Sequence, residues 1–330
     1  MLDPFRHTAL GPFQPLLIPI AEPVRLTALP LHAHEVLIAL TLYTFIAQIL
    51  SPAASAYLLP NAYPNLDRRT KISWHIHVVS FMQSCIVSAL SFYVIFFDEE
   101  RKTWRPDENW EMRVWGYTGL TGLLQSFALG YFIFDLYKCL RHVAIFGWGM
   151  VLHAVASSAM FTFGFRPFIH FYCPVFLLHE LSTPFLNIHW FCDKLDLTGS
   201  IYQAVNGIFL VTTFFCCRLA WGTYGSWNVS RDVYRATFAR PSAAISTAEQ
   251  VSQSSALAAS DDLLGQTVAF MATRPLPVWL GLSYLTANVS LTLLNVFWFL
   301  KMMQAIRKRF VPQTHGREAR SDKQNSSKDK

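Results

Sequence analysis

Residues 72–97 read ISWHIHVVSFMQSCIVSALSFYVIFF, a run without Asp, Glu, Lys or Arg. The hydrocarbon core of a bilayer is about 30 Å thick, and a helix needs about 20 apolar residues to cross it. Lipid offers an exposed backbone no hydrogen-bond partner, so a crossing segment of this length must be helical. The run therefore predicts a transmembrane helix, and it decides the fold class of the chain.

Similar stretches lie on both sides of this run. They cover residues 36–66, 114–134, 143–165, 167–192 (interrupted by Glu180), 197–217 and 275–300. Hydrophobic residues make up 52% of the 330-residue chain and charged residues 15%, whereas soluble proteins average about 25% charged residues. We predict an all-α, polytopic transmembrane bundle of about seven helices.

Composition divides the chain into four parts. They are a proline-rich lead (1–33), a first transmembrane segment (34–66), a membrane domain (70–310) and a basic, disordered tail (311–330). Within the membrane domain, residues 223–274 are rich in Ala and Ser, which predicts a flexible insertion. In the first segment Pro52 lies among small residues, so an end of the helix near Leu50 is the alternative to a full span.

The distribution of charge indicates orientation rather than a nucleic-acid surface. The net charge is +6, and nine of the 27 Lys and Arg residues lie from Lys301 onward, after the last apolar stretch. With seven spans and the tail in the cytosol, the cytosolic side carries 15 of these residues and the other side 12. The excess of basic residues on that side favours a cytosolic C-terminus.

The motifs of several enzyme and metal-binding classes are absent from the sequence. The six cysteines lie in or at the ends of apolar stretches, without a CxxC pair, which argues against a disulfide framework and a structural zinc site. There is no P-loop, GxSxG, HExxH or Rossmann glycine motif. We expect neither a metal nor a cofactor.

Polar residues inside the apolar stretches are the candidate functional residues, because a charge at the centre of a transmembrane helix costs about 2.5–3.5 kcal/mol. Glu180 is the one acidic residue well inside a stretch, and Thr183 and Asn187 follow it at the spacing of one helical face. Pro184 predicts a bend in that helix. The face is typical of a pocket wall, although a carboxyl group that only bonds a neighbouring helix is an equal alternative.

His153 lies in the middle of another apolar stretch, and imidazole can act as a base or nucleophile near neutral pH. A neutral histidine that bonds a facing helix is the simpler interpretation of this residue taken alone. Asp135 ends its stretch near basic residues, where an interfacial salt bridge is the ordinary explanation. Amides such as Asn206 and Asn295 more often join helices than catalyse.

Several short segments together carry a family resemblance. They are Trp74 with Val78-Val79-Ser80, Phe96-Phe97-Asp98-Glu99, Gly130-Tyr131-Phe132-Ile133-Phe134-Asp135-Leu136, His153 to Ser157, Glu180-Leu181-Ser182-Thr183-Pro184-Phe185-Leu186-Asn187, Trp190-Phe191, Asn206-Gly207-Ile208 and Asn295-Val296-Phe297-Trp298. In this order they resemble the TLC domain, which ceramide synthases, CLN-type lipid proteins and TRAM proteins share. The likeness is greatest to the small TLC-domain transmembrane proteins of endomembranes.

The resemblance implies a six-helix core, here with one added helix, around a lipid-accessible chamber. It also implies an integral protein of the endoplasmic reticulum or a related endomembrane. In ceramide synthases a histidine pair carries acyl transfer, whereas this chain has Leu152-His153 at that position. It also has Gln83 where the small relatives usually show histidine. Both departures weaken the case for catalysis.

Three functional hypotheses follow. The leading one is a lipid-binding or lipid-handling protein of membrane lipid homeostasis, with a pocket formed by Glu180, Ser182, Thr183, Asn187, His153, Asn206 and Asn295. The alternative is a lipid acyltransferase that uses acyl-CoA as co-substrate, with His153 and Asp135 as catalytic residues. A receptor or transporter ranks third, since inverted repeats are not visible. The expected partners are membrane lipids and a second copy of the chain, not nucleic acid.

Overall fold

The computed structural model describes residues 14–21, 23–166, 168–238 and 276–310. Helices of eight or more residues are α1 (Gln14–Ala21), α2 (Leu29–Leu58), α3 (Arg68–Phe97), α4 (Gly119–Arg141), α5 (Trp148–Phe163), α6 (Thr183–Lys194), α7 (Ile201–Phe238) and α8 (Val278–Phe310). No β-strand occurs in these ranges, and the predicted all-α membrane fold is confirmed.

Five of these helices, α2, α3, α4, α7 and α8, are long and apolar enough to cross a membrane. Helix α5 is also apolar but has 16 residues, which corresponds to about 24 Å of helix. Helix α6 has 12 residues and follows a series of short turns. The seven predicted stretches therefore all contain helix, but two of them are not single long helices.

Helix α4 lies at the centre of the bundle. In its apolar stretch 83% of the residues are buried, against 6% for α8 at the periphery. Helices α2, α3 and α5 all contact α4. Gly130 allows the close approach of α2, because a Cβ atom at this position would lie 2.6 Å from the Cβ of Ala39. Small residues at such contacts are typical of membrane bundles.

Helix α2 passes through Pro52 instead of ending near Leu50. The turn before the proline, Ile46–Leu50, widens to π-helical hydrogen bonding, and the helix then continues to Leu58. A wider turn accommodates a residue that has no N–H and whose ring would crowd a regular turn. The observed helix also begins earlier, at Leu29, than the predicted start at 34.

The predicted stretch 167–192 is not one bent helix. It consists of short turns at His170–Tyr172, Cys173–Leu177 and Leu178–Ser182, and α6 begins only at Thr183. Pro184 therefore does not bend a helix at Glu180. It lies in the first turn of α6, where its missing N–H has no intrahelical partner to lose.

Residues 223–238 belong to α7 and not to the flexible insertion predicted over 223–274. Val229, Val233 and Ala236 are buried at helical spacing, and this part of α7 packs against α8 and residues 110–115. The prediction missed this helix because it averaged the composition over 223–274, where Ala and Ser outnumber the few apolar residues at helical spacing. Residues 239–275 lie outside the described ranges, as do residues 1–13 and the tail 311–330.

One face of the bundle, which we call the loop face, consists of residues 98–118, 164–172 and the end of α7. Its main link is a buried ion pair: Arg113 donates from Nε to Asp232 Oδ2 at 2.7 Å and from its terminal nitrogen to Oδ1 at 3.0 Å. The Tyr172 hydroxyl also donates to Asp232, at 2.5 Å. At the exposed rim, hydrogen bonding to Arg235 lowers the pKa of Asp107.

We predict that Asp232→Asn lowers the melting temperature Tm of the purified protein far more than Asp107→Asn. The first change takes from the buried guanidinium of Arg113 its fully buried, doubly bonded counter-ion, a loss of about 3–5 kcal/mol. Asp107 is half-exposed and pairs with Arg231, with Arg235 and, at 3.3 Å, with one edge of the same guanidinium. Its loss should cost far less, since exposed ion pairs contribute about 0–1 kcal/mol. Thermal unfolding in one detergent measures both. Equal effects of the two variants would show that the buried pair does not hold the loop face together.

Candidate functional site

A buried guanidinium lies at the middle of the bundle. Arg218 belongs to the segment Phe214–Trp221, where α7 widens to π-helical turns, and 7% of the residue is exposed. Its guanidinium also lies over the ring of Phe214, 5.2 Å from the ring centroid. Wide turns of this kind frequently occur at functional sites.

The guanidinium donates hydrogen bonds to residues of two other segments. Nε bonds Ser182 Oγ at 2.9 Å, and one terminal nitrogen bonds Thr183 Oγ1 at 2.9 Å. The other terminal nitrogen bonds Asn295 Oδ1 of α8 at 3.1 Å. Glu180 Oε1 completes the set at 3.5 Å as an ion pair. These five residues, Arg218, Glu180, Ser182, Thr183 and Asn295, form what we call the Arg218 centre.

Two imidazoles adjoin the Arg218 centre. His153 of α5 packs edge-on against Trp298, with ring centroids 5.5 Å apart, and His179 precedes Glu180. The charge of Arg218 acts on both rings, so all three groups lie within electrostatic range. His153 Nδ1 and His179 Nε2 are buried, and neither has a hydrogen-bond partner within the ranges that the structure describes. Both nitrogens are therefore available to a further partner.

Asp135 of α4 is a second buried carboxyl group near Glu180. It is 5% exposed and lies within electrostatic range of Glu180 and Tyr131. The hydrogen bond recorded for its carboxylate comes from the Cys139 thiol, at a sulfur–oxygen distance of 3.8 Å. Among the described residues Asp135 forms no salt bridge, so the interfacial ion pair expected from the sequence is not observed. No hydrogen bond between Asp135 and His153 is found among the described side chains either.

Asn187 makes contacts of a different kind from those of Glu180 and Thr183. Its Oδ1 accepts from His77 Nδ1 at 2.7 Å, and its Nδ2 donates to Ser80 Oγ at 3.2 Å, both in α3. The break before α6 removes Glu180 from the helical face of Asn187, whereas Thr183 and Asn187 stay one turn apart on α6 and bond different neighbours. Asn206 joins helices, since its Nδ2 donates to the Phe185 carbonyl at 2.8 Å.

Two members of this site were not identified from the sequence. Arg218 follows directly after the predicted span 197–217, and His179 is not among the predicted site residues. A signal for Arg218 was present, because the carboxylate of Glu180 in a transmembrane stretch requires a cation or a donor. Arg218 is the first basic residue after Lys194, and it lies on the following helix.

The site unites a guanidinium, two carboxyl groups and two imidazoles where water is largely excluded. Such groups can hold a polar lipid group by hydrogen bonds, and an imidazole there can accept or donate a proton. The hydroxyl and amide groups of Ser182, Thr183 and Asn295 accept hydrogen bonds from the guanidinium and so orient it, and their part in a lipid pocket stays a prediction.

A family model described as the TLC domain matches residues 73–304, which include the whole Arg218 centre, both imidazoles and Asp135. The chain belongs to the TLC-domain family. An uncharacterized TLC domain-containing protein of Schizosaccharomyces pombe is 35% identical over 291 residues, covering 88% of this chain and 84% of the relative. TLC domain-containing protein 4 of Homo sapiens is 30% identical over 193 residues, covering 56% and 70%.

A third relative matches nearly the whole chain at lower identity. Topoisomerase I damage affected protein 4 of Saccharomyces cerevisiae is 24% identical over 288 residues, which cover 85% of this chain and 86% of the relative. No solved structure matches the chain. Family and integral membrane character are thus shown.

We predict that Arg218→Met and Glu180→Gln have strongly non-additive effects on stability. Either change alone leaves a buried charge without its partner, so the double variant should lose less Tm than the sum of the single losses. The exposed pair Lys102–Glu99, 2.7 Å apart, is the matched control, and its two Gln variants should be additive. Additivity at both pairs would mean that Glu180 and Arg218 do not act as an ion pair.

Proposed function

We propose that this TLC-domain protein binds and handles membrane lipid in an endomembrane and thereby influences lipid composition. The observation that carries the proposal is the convergence of Arg218, Glu180, Asp135, His153 and His179 in the middle of the matched domain. Ionisable residues inside a membrane are expensive, and they generally mark a ligand site or proton path.

Incomplete hydrogen bonding favours a ligand site over simple helix packing. A structural ion pair is most stable when every donor and acceptor is satisfied. Here the Glu180–Arg218 contact is long, at 3.5 Å, and the two buried imidazole nitrogens have no hydrogen-bond partner among the residues that the structure describes. A lipid polar group placed between the imidazoles and the carboxylates would supply the missing hydrogen bonds.

We expect wild-type protein, purified in mild detergent, to retain a reproducible lipid set that native mass spectrometry can identify. His153→Gln and Glu180→Gln should each reduce or change this set, because both groups adjoin the proposed ligand position. His142→Gln is the matched control, since His142 lies between α4 and the next turn, outside the Arg218 centre.

Two results would count against this proposal. Wild-type protein that retains no more lipid than an unrelated membrane protein prepared in the same way would overturn lipid handling altogether. An unchanged lipid set in both His153→Gln and Glu180→Gln would remove the Arg218 centre and its adjoining imidazoles as the lipid site.

The alternative is acyl transfer from acyl-CoA, and the unpartnered Nδ1 of His153 supports it. The imidazole would take a proton from an acceptor hydroxyl or amine as that group attacks the thioester carbonyl. The thioester bond then breaks, and the CoA thiolate leaves with the proton. Asp135 does not orient His153 directly, so the acid partner of a relay is missing. Labelled acyl-CoA and mixed lipids should give His153-dependent product if this alternative holds.

Orientation and organelle are part of the proposal. If the chain crosses the membrane seven times, the loop face lies on one side, and the turns near Asp67, His142 and Leu195 lie on the other side with the end of α8. The excess of Lys and Arg supports a cytosolic position for this second side. The homodimer expected from the sequence stays a prediction.

We predict that protease removes a C-terminal epitope tag from sealed microsomes without detergent. The basic tail follows α8 on the side assigned to the cytosol, so the tag should be accessible. A tag inserted in the loop face, between Asp107 and Trp110, should stay protected until detergent opens the vesicles. The reverse pattern would invert the assignment.

A further inference from the structure

Arg166, in the loop face, is a buried cation without a counter-ion. The residue is 6% exposed, and its guanidinium forms no hydrogen bond or ion pair in the part of the chain that the structure describes. Its Nε is enclosed without a bond, whereas the two terminal nitrogens are not fully enclosed and stay accessible from outside. Arg166 thus differs from Arg113 and Arg218, whose charges are each compensated by a buried carboxylate.

The nearest charge to Arg166 has the same sign. Arg25, in the turn between α1 and α2, is exposed and lies within electrostatic range. Burial first, and then the charge of Arg25, lower the pKa of Arg166, and no described carboxylate opposes them. The two turns are joined through the backbone, because the Ala28 N–H donates to the Phe165 carbonyl at 2.9 Å. The two guanidinium groups are therefore held near each other by the fold.

The start of α8 adds further positive charge. The Arg166 guanidinium lies over the ring of Trp279, 5.1 Å from the ring centroid, and Trp279 belongs to the first turn of this 33-residue helix. A helix N-terminus carries about half a unit of positive charge and unsatisfied N–H groups. A buried charge without a partner destabilises a fold strongly. An anion placed beside Arg166 would remove this cost and bond the free terminal nitrogens.

The donor set indicates which anion fits. A guanidinium presents a planar fork of N–H groups that matches the oxygens of a phosphate or a carboxylate. A phosphate has more acceptor oxygens than a carboxylate, so it can bond two guanidinium groups at once, and helix N-termini commonly bind it. Exposed apolar side chains adjoin both cations: Val24 precedes Arg25, and Val278 and Trp279 begin α8. These side chains suit a phosphate that carries an apolar group.

We propose that Arg166, Arg25 and the start of α8 form a binding site for a phosphate group at the rim of the loop face. The phosphate can belong to the headgroup of an acidic lipid or to a soluble molecule, and the experiment separates these sources. The site contains no residue of the Arg218 centre. It therefore goes beyond the proposed function, and either proposal can fail without the other.

The test measures Tm of delipidated full-length protein in one detergent. Four additions are compared: sodium chloride, inorganic phosphate at the same ionic strength, phosphatidic acid, and phosphatidylcholine with the same acyl chains. A ligand that binds only the folded protein raises Tm, and we expect phosphatidic acid to raise it by about 3 °C or more. Phosphatidylcholine should raise it less, because choline compensates its phosphate. An equal gain from inorganic phosphate would assign the site to a soluble anion, and no gain from it to a lipid headgroup.

Arg166→Met removes the charge and keeps an unbranched apolar side chain against Trp279. Without ligand this variant should melt at or above the wild-type Tm, because an uncompensated buried charge is gone. With phosphatidic acid it should lose the gain. Arg25→Gln changes an exposed residue and should reduce the gain. Arg235→Gln is the matched control on the same face, since the Arg235 guanidinium is already paired with Asp107 at 3.1 Å, and it should keep the full gain.

Three outcomes overturn the inference. Equal gains in wild-type protein and Arg166→Met would reflect binding elsewhere or the general stabilising effect of excluded salts. If Arg166→Met cannot be purified or melts well below wild type, an undiminished gain in Arg25→Gln would make Arg166 a packing residue on Trp279. If neither inorganic phosphate nor phosphatidic acid raises the Tm of wild-type protein above that in sodium chloride, no phosphate site exists here.

Discussion

The energetic problem of a guanidinium in lipid constrains much of this bundle. A charge at mid-membrane persists when protein groups replace its hydration. Arg218 finds its acceptors in the turn before α6, in α6 itself and in α8. The relative positions of α6, α7 and α8 are therefore coupled through one side chain, and the wide turn of α7 is where this coupling is made.

The break before α6 also helps to supply hydrogen-bond acceptors for the buried guanidinium of Arg218. In a continuous α-helix, side chains two residues apart point to nearly opposite sides, so Glu180 and Ser182 would not face the same group. The tight turn Leu178–Ser182 followed by a new helix start lets both reach Arg218 together with Thr183. Pro184 stabilises this start, because its fixed backbone angle suits the first turn of a helix. The proline thus promotes the break instead of bending a long helix.

The sequence predicts the fold class well because the bilayer imposes length and hydropathy on every crossing segment. It is less informative about where helices end. A span defined by the absence of charge stops at residue 217, whereas α7 continues to Phe238, because Arg218 and Asp232 are both buried and paired. Arg218 therefore follows the end of the predicted span, although it lies inside α7 in the structure. Glu180 could be identified as a candidate from its position alone, but its partner is set by tertiary packing, which no single helical pattern contains.

The contribution of α2 shows that the family match and the structural unit have different limits. The TLC-domain match begins at residue 73. Central α4 nevertheless packs its Gly130 directly against α2. A Cβ atom at Gly130 would lie 2.6 Å from the Cβ of Ala39, so only glycine fits at this contact. Without α2, this side of α4 would be open to lipid. Tyr43 of the same helix also places its unpaired hydroxyl in the interior, beside Tyr131. The interior of the bundle is thus closed on this side by a helix that lies outside the matched segment.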